Sequence, residues 1–141
     1  MNDIQSLAIE NQLDIIEARM RVRLLARDSG LDLFDQARIS LATSTLAIIL
    51  GLEKAGTGII TMHRLVEAGR TGVRVVCIKH RASQRDLAAG VLDDARRMVD
   101  ELRVEERPEG SVHVSLVKWA GRSRRLDSLA GALQAASPIG D

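Results

Sequence analysis

Aromatic side chains are nearly missing from this chain: of 141 residues, one is Phe, one is Trp and none is Tyr. Its core must be aliphatic, and it has no set of rings on which successive nucleic-acid bases would stack. The single cysteine, Cys77, excludes an internal disulfide and suits a reducing compartment. Charge of one sign is also lacking, since 20 Lys+Arg stand against 19 Asp+Glu. A net charge of +1 gives neither a nucleic-acid footprint nor a strong steering field. No apolar run approaches the ~20 residues of a membrane-spanning helix. Met1-Asn2-Asp3-Ile4-Gln5 has no basic region and no long apolar run, so no signal peptide is expected and the expected location is cytoplasmic.

What is present suits one soluble domain: 45% hydrophobic and 28% charged residues, in a chain long enough to bury a core unaided. Ser6 to Glu10 is a strand candidate. Asp14 is placed as the cap of a helix running to about Ser29, with Gly30 as its stop. Ile15, Ala18, Val22, Leu25 and Ala26 recur at helical spacing in it. A second helix is predicted from Leu33 to about Lys54, apolar over much of its later surface and so buried on more than one side. Gly56-Thr57-Gly58 breaks it. Ile59 to Val66 and Val73 to Ile78 read as a hairpin around a Glu67 to Gly72 loop, with Val73, Val75 and Cys77 on one face. Ser83-Gln84-Arg85-Asp86 resembles a capping box that opens a third helix ending near Leu102. Arg103 to Arg107 and Ser111 to Trp119 follow as strands around Pro108-Glu109-Gly110, and Leu126 to Ala136 as a last helix. Helices segregated from antiparallel strands predict an α+β two-layer sandwich with the helices on one sheet face. Residues 1–121 form the expected domain and 122–141 a C-terminal connector and helix.

Candidate chemistry is thin. His63, His80 and His113 lack zinc-site spacing and no cysteine joins them, so metal binding is not favoured. Cys77 on a β-branched strand reads as a packed small residue. Arg19, Arg23 and Arg27 line one side of the first helix, as a solvated face or as a contact for an acidic partner. Lys79, His80, Arg81 and Arg85, with Arg96 and Arg97, read as exposed charge or as an anion site. Arg122 to Arg125 precedes Leu126, Leu129 and Leu133, which either dock on the domain or pair with a second copy.

The element order resembles the GHKL (Bergerat) ATPase fold, and within it the small anti-sigma and switch serine kinases of the RsbT and RsbW type. The likeness is carried by Asp14-Ile15 with Ala18-Arg19, Gly30-Leu31, and Gln36-Ala37-Arg38 with the helix after them. Further on it is carried by Val75-Val76, Arg97-Met98-Val99-Asp100-Glu101, Gly110-Ser111 and Lys118-Trp119. It spans Leu7 to Ala120.

The resemblance implies an ATP site, and at its key positions the chain departs from the family. A Glu that orients the nucleophile and an Asn that holds Mg²⁺ are matched by Thr45 and Ile49. Thr45 does not ionise near neutral pH, and Ile49 offers no oxygen to a metal that demands oxygen ligands. The adenine-reading Asp and its Gly-rich turn are matched by Lys79-His80-Arg81-Ala82-Ser83, where Lys79 only donates and no glycine remains. The Gly-rich phosphate lid is missing, with Gly90 left alone in a helical pattern. Asp86, in a first helical turn, would repel phosphate.

The expected protein is thus a non-catalytic regulatory module without cofactor, which binds a STAS-type antagonist, a sigma factor or an attached signalling domain, with a homodimer also open. The alternative is an active RsbT-like kinase that binds Mg-ATP and phosphorylates a STAS serine, with Lys79 or Arg81 on phosphate. Nucleic acid and membrane are not expected partners.

Overall fold

The computed structural model describes residues 4–55, 58–81 and 87–121. The expected capping box at 83–86 and the expected last helix at 126–136 lie outside the described residues.

Strand β1 (Gln5–Ile9) leads into helix α1 (Gln12–Asp28) and then helix α2 (Leu33–Ile49). Asn11, not Asp14, caps α1: its side chain accepts from the Asp14 N–H at 3.1 Å. The Asp14 carboxylate reaches back to the Glu10 N–H at 2.8 Å, a variant of the capping box in which the return bond falls one residue before the cap. At the other end Gly30 takes φ +92, and the Leu31 and Gly30 N–H groups bond to the Ala26 and Arg27 carbonyls. This paired closure is what a left-handed glycine after a helix allows, and it turns the chain into α2. Asp32 caps α2 by accepting from the Asp35 N–H at 2.8 Å.

Helix α2 stops earlier than its composition predicts. Gly51 adopts φ +66 and donates to Ile48, so the expected helix to Lys54 is split into α2 and a single turn, α3 (Leu52–Ala55). The expected long third helix is corrected more strongly. Residues 87–92 are mainly turn, with Gly90 at φ +82, and the helix proper is only α4 (Asp93–Arg97). Apolar spacing survives there without helix: Leu87, Val91, Met98 and Val99 still pack against the core.

Strands β2 (Gly58–Glu67) and β3 (Arg70–Lys79) form a hairpin closed by only Ala68 and Gly69, both at positive φ. Gly72 therefore lies inside β3 and not in a loop. A Cβ there would stand 2.8 Å from the Trp119 ring, and that close approach accounts for the glycine. Strands β4 (Glu101–Glu106) and β5 (Val112–Trp119) complete a five-stranded antiparallel sheet in the order β1-β2-β3-β5-β4.

Alternation assigns the two sheet faces. Ile60, Met62, Val73, Val75, Cys77, Val112, Val114 and Leu116 are buried beneath the helices against Ile15, Ala18, Val22, Ile39, Leu46 and Ala47. The fold is α+β, an antiparallel sheet covered on one face by helices, with an aliphatic core between the layers.

Candidate functional site

Thr45 and Ile49 are one turn apart on α2, so they share a helix face as their spacing predicts. Both are half-buried at the edge of the layer, and Ile49 packs against the core. Lys79 ends β3 opposite Gly58, with its Nζ 3.7 Å from where a Cβ would stand on Gly51. The fold thus brings Lys79 to the C-terminal end of the helix that carries Thr45 and Ile49. His80 and Arg81 follow in an exposed turn, Arg81 at φ +60. Ser83, Arg85 and Asp86 lie outside the described residues.

This grouping has little chemistry. Its described residues, Thr45, Ile49, Lys79, His80 and Arg81, include no carboxylate, thiol or imidazole pair, and Thr45 and Ile49 offer neither a base nor a metal ligand of the oxygen-rich kind Mg²⁺ takes. Among the described residues no three His, Cys, Asp or Glu side chains are grouped so as to hold a metal ion. Cys77 is fully buried, and burial pushes its thiol up to about 12, which keeps it protonated and inert. His63 and His113 sit on the sheet face away from the helices. Burial lowers the pKa of each, with Arg74 adding to the effect at His63 and Arg107 at His113.

The buried polar atoms near α2 serve architecture. Gln36 donates from its amide to the Leu31 carbonyl at 2.9 Å, fixing the turn between the helices. Buried Asp35 lies 3.5 Å from Lys118 Nζ, which also reaches Asp100 at 3.2 Å; Asp100 accepts the Trp119 N–H at 2.7 Å. Residues far apart in sequence are joined here: the start of α2, the bend before β4, and the end of β5. Gln36, Asp100 and Lys118 all carry the family likeness, and no local spacing signal pairs them.

A second surface was not picked out from the sequence. Leu13, Ile16, Met20 and Leu24 recur at helical spacing on the side of α1 opposite Ile15, Ala18 and Val22. They remain 73%, 48%, 61% and 51% exposed. Phe34 at the start of α2 is 74% exposed, and Leu33, Leu41 and Ile48 are also out. Met20, Leu24 and Gln36 line a shallow hollow of about 220 Å³ between the helices, rimmed by Arg23 and Arg27. A helix with two apolar stripes carries the signal in its spacing: one stripe faces the core and the second faces a partner or water. Large apolar side chains exposed together mark contact surfaces more often than isolated ones do.

Comparison with characterised proteins finds a similarity in sequence to a serine/threonine-protein kinase. Over 133 residues the chain is 28% identical to the serine/threonine-protein kinase RsbT of Bacillus subtilis (strain 168), covering 84% of this chain and 98% of that protein. The chain is a distant homologue of RsbT. The match covers most of both chains, so the likeness to RsbT is not confined to one motif. No protein-family model matches the chain. Similarity at this level is consistent with a regulatory, protein-binding role. Among the described residues no helix is long and apolar enough to cross a membrane.

Proposed function

We propose that this protein is a regulatory binding module: a degenerate GHKL-type (Bergerat) domain over residues 1–121 that engages a STAS-type antagonist without ATP, with 122–141 as a connector. The observation that carries this reading is the exposed stripe Leu13, Ile16, Met20 and Leu24 on α1, with Phe34 exposed at the start of α2, and with Arg19, Arg23 and Arg27 alongside the stripe, Arg27 paired to Asp28 at 3.5 Å. An apolar centre with a basic rim fits a partner surface of apolar anchors ringed by Asp and Glu. The replacement of the metal- and base-position residues by Ile49 and Thr45 supports the absence of phosphoryl transfer.

The test has two arms. Isothermal titration of the full chain with Mg-ATP is expected to give no binding heat, and micromolar binding overturns the ATP-independent reading. Affinity capture is expected to recover a STAS-domain protein from the native lysate, and Met20→Glu is expected to abolish that recovery. Retention of the partner by Met20→Glu removes the α1 surface as the contact.

The similarity to a named kinase keeps one other reading. In it the chain is an RsbT-like kinase in which Lys79 or Arg81 contacts phosphate. It requires radiolabel transfer from ATP to the serine of a STAS partner, and its absence with the captured partner eliminates it.

A further inference from the structure

The sheet face away from the helices holds a groove of about 480 Å³, on the opposite side of the sheet from Thr45, Ile49 and the α1 stripe. Strand register explains its shape. On that face Val76, Ser115 and Arg103 form one cross-strand row, Arg74 and Val117 lie in the row on one side, and Ile78, His113 and Glu105 in the row on the other. Cross-strand neighbours stand about 5 Å apart and diagonal ones about 7–8 Å, within reach of arginine. Small Ser115 at the centre leaves a depression, and the longer side chains of Arg74, Arg103 and His113 surround it.

The charge in the groove is one-sided. Arg74, Arg103 and Arg107 line it with Glu105, and Glu109 acts on Arg107 and His113; among the described residues Arg74 and Arg103 have no carboxylate partner, which leaves their two positive charges uncompensated. Glu105 is already paired with Arg107 at 3.1 Å. Glu101, on the same face, takes the Trp119 indole N–H at 3.3 Å. Arg74 Nε is buried and has no hydrogen-bond partner among the described residues. An unpaired buried guanidinium nitrogen is costly unless an acceptor meets it.

We propose that this groove binds a small phosphate monoester, with the phosphate held by Arg74, Arg103 and the Ser115 hydroxyl and the organic part against Val76. Two uncompensated positive charges match a dianion better than a single carboxylate. Planar guanidinium forks match phosphate oxygens in pairs. The volume lies within the range of small-molecule sites and exceeds what a bare phosphate fills. The lowered pKa of His113 has the same origin as the site, burial beside Arg107, and a bound dianion would reverse the second cause.

The experiment titrates the full-length protein at low salt with glycerol 3-phosphate, inorganic phosphate and acetate, followed by calorimetry and by the His113 ring resonances. The ester is expected to saturate and to bind more tightly than phosphate and far more tightly than acetate. Arg103→Gln, at an exposed position, is expected to weaken the ester by about tenfold, as loss of one charge-assisted contact predicts, with Arg103→Lys between the two. Ester binding is expected to raise the His113 titration midpoint, while Arg64→Gln, an exposed arginine at the register position of the opposite sheet face, leaves both readouts unchanged. Absence of saturation up to tens of millimolar, or equal binding by Arg103→Gln, overturns the site. Equal affinity for inorganic phosphate overturns the ester. A dimer in sedimentation that Arg103→Gln dissociates, together with no ester binding, assigns the groove to a second copy of the chain and also overturns the proposal.

Discussion

The two halves of α2 direct their polar side chains differently. In the first half two of them leave the helix, Gln36 to the Leu31 carbonyl and Asp35 to Lys118 on β5, while Ser40 already returns to Ala37. In the second half they fold back on their own helix. Thr43 donates to Ile39 at 2.8 Å and Ser44 to Leu41 at 3.1 Å. What ties the second half to the sheet is apolar burial, through Leu46, Ala47 and Leu50. One half is positioned by directional bonds and the other by packing. Thr45 and Ile49 lie in the half whose polar atoms satisfy only the helix itself. Building a metal site there needs new oxygen ligands, and rearranging those already present does not supply them.

The comparison breaks hardest at its packed half. Leu46→Ala removes a fully buried side chain between the layers and is expected to cost about 3–4 kcal/mol. Urea denaturation of the full chain reads this as a lower midpoint at unchanged slope. If the loss is under about 1 kcal/mol, packing does not dominate the second half.

The bonded half breaks next. Lys118→Met keeps the stem and removes the ammonium that faces Asp35 and Asp100. Among the described residues Asp35 then stays buried with only the exposed Arg38 at 3.3 Å as counter-charge. Removing one partner of a buried pair costs about 3–5 kcal/mol, and the half-exposed Asp100 places this case near the lower end, about 3 kcal/mol. The companion Asp35→Asn in the Lys118→Met background is expected to recover part of that loss, because it removes the stranded charge. No recovery in the double variant would mean that the cost lies in lost packing by the lysine stem.

This network also marks where sequence reading ran out. The strands were legible to within a few residues, because Val73, Val75 and Cys77 alternate cleanly against a buried face. Gly30 was legible as a stop, since few other residues sit easily at φ +92. Helix lengths were not. Gly51 and Gly90 both lie within runs of good apolar spacing, and spacing alone does not tell a tolerated helical glycine from a left-handed one. Gly72 misled in the opposite direction: it looks like a turn residue, but its place is set by Trp119, 47 positions away. At the candidate site, the spacing of Thr45 and Ile49 was legible and the approach of Lys79 to Gly51 was not. Pairing of Asp35 with Lys118 is tertiary, and it follows from no property of either local segment.

A finer contrast uses matched removals of one hydrogen bond. Gln36→Leu deletes a donor that leaves α2 and strands the buried Leu31 carbonyl, at an expected cost of about 1–2 kcal/mol. Thr43→Val deletes a donor that returns to its own helix, where the Ile39 carbonyl still receives a backbone N–H. Its expected change is below about 1 kcal/mol in either direction. Equal costs for the two would erase the distinction between outward and returning bonds.

The smallest stability effect is expected where the interaction surface begins. Phe34 stands in the first turn of α2, 74% exposed, so Phe34→Asp removes almost no buried area. An added carboxylate near a helix N-terminus is mildly favourable, so stability should move by no more than about 0.5 kcal/mol. Partner capture should nevertheless fall sharply, because the new charge replaces an exposed apolar anchor two residues before Gln36, which lines the Met20–Leu24 hollow. A large stability loss would show that Phe34 is structural and that its exposure misleads. Unchanged stability with unchanged capture would confine the contact to α1. The informative result is the split, with folding intact and recognition lost, since a residue that evolution leaves apolar in water at no structural need is then explained by what it meets.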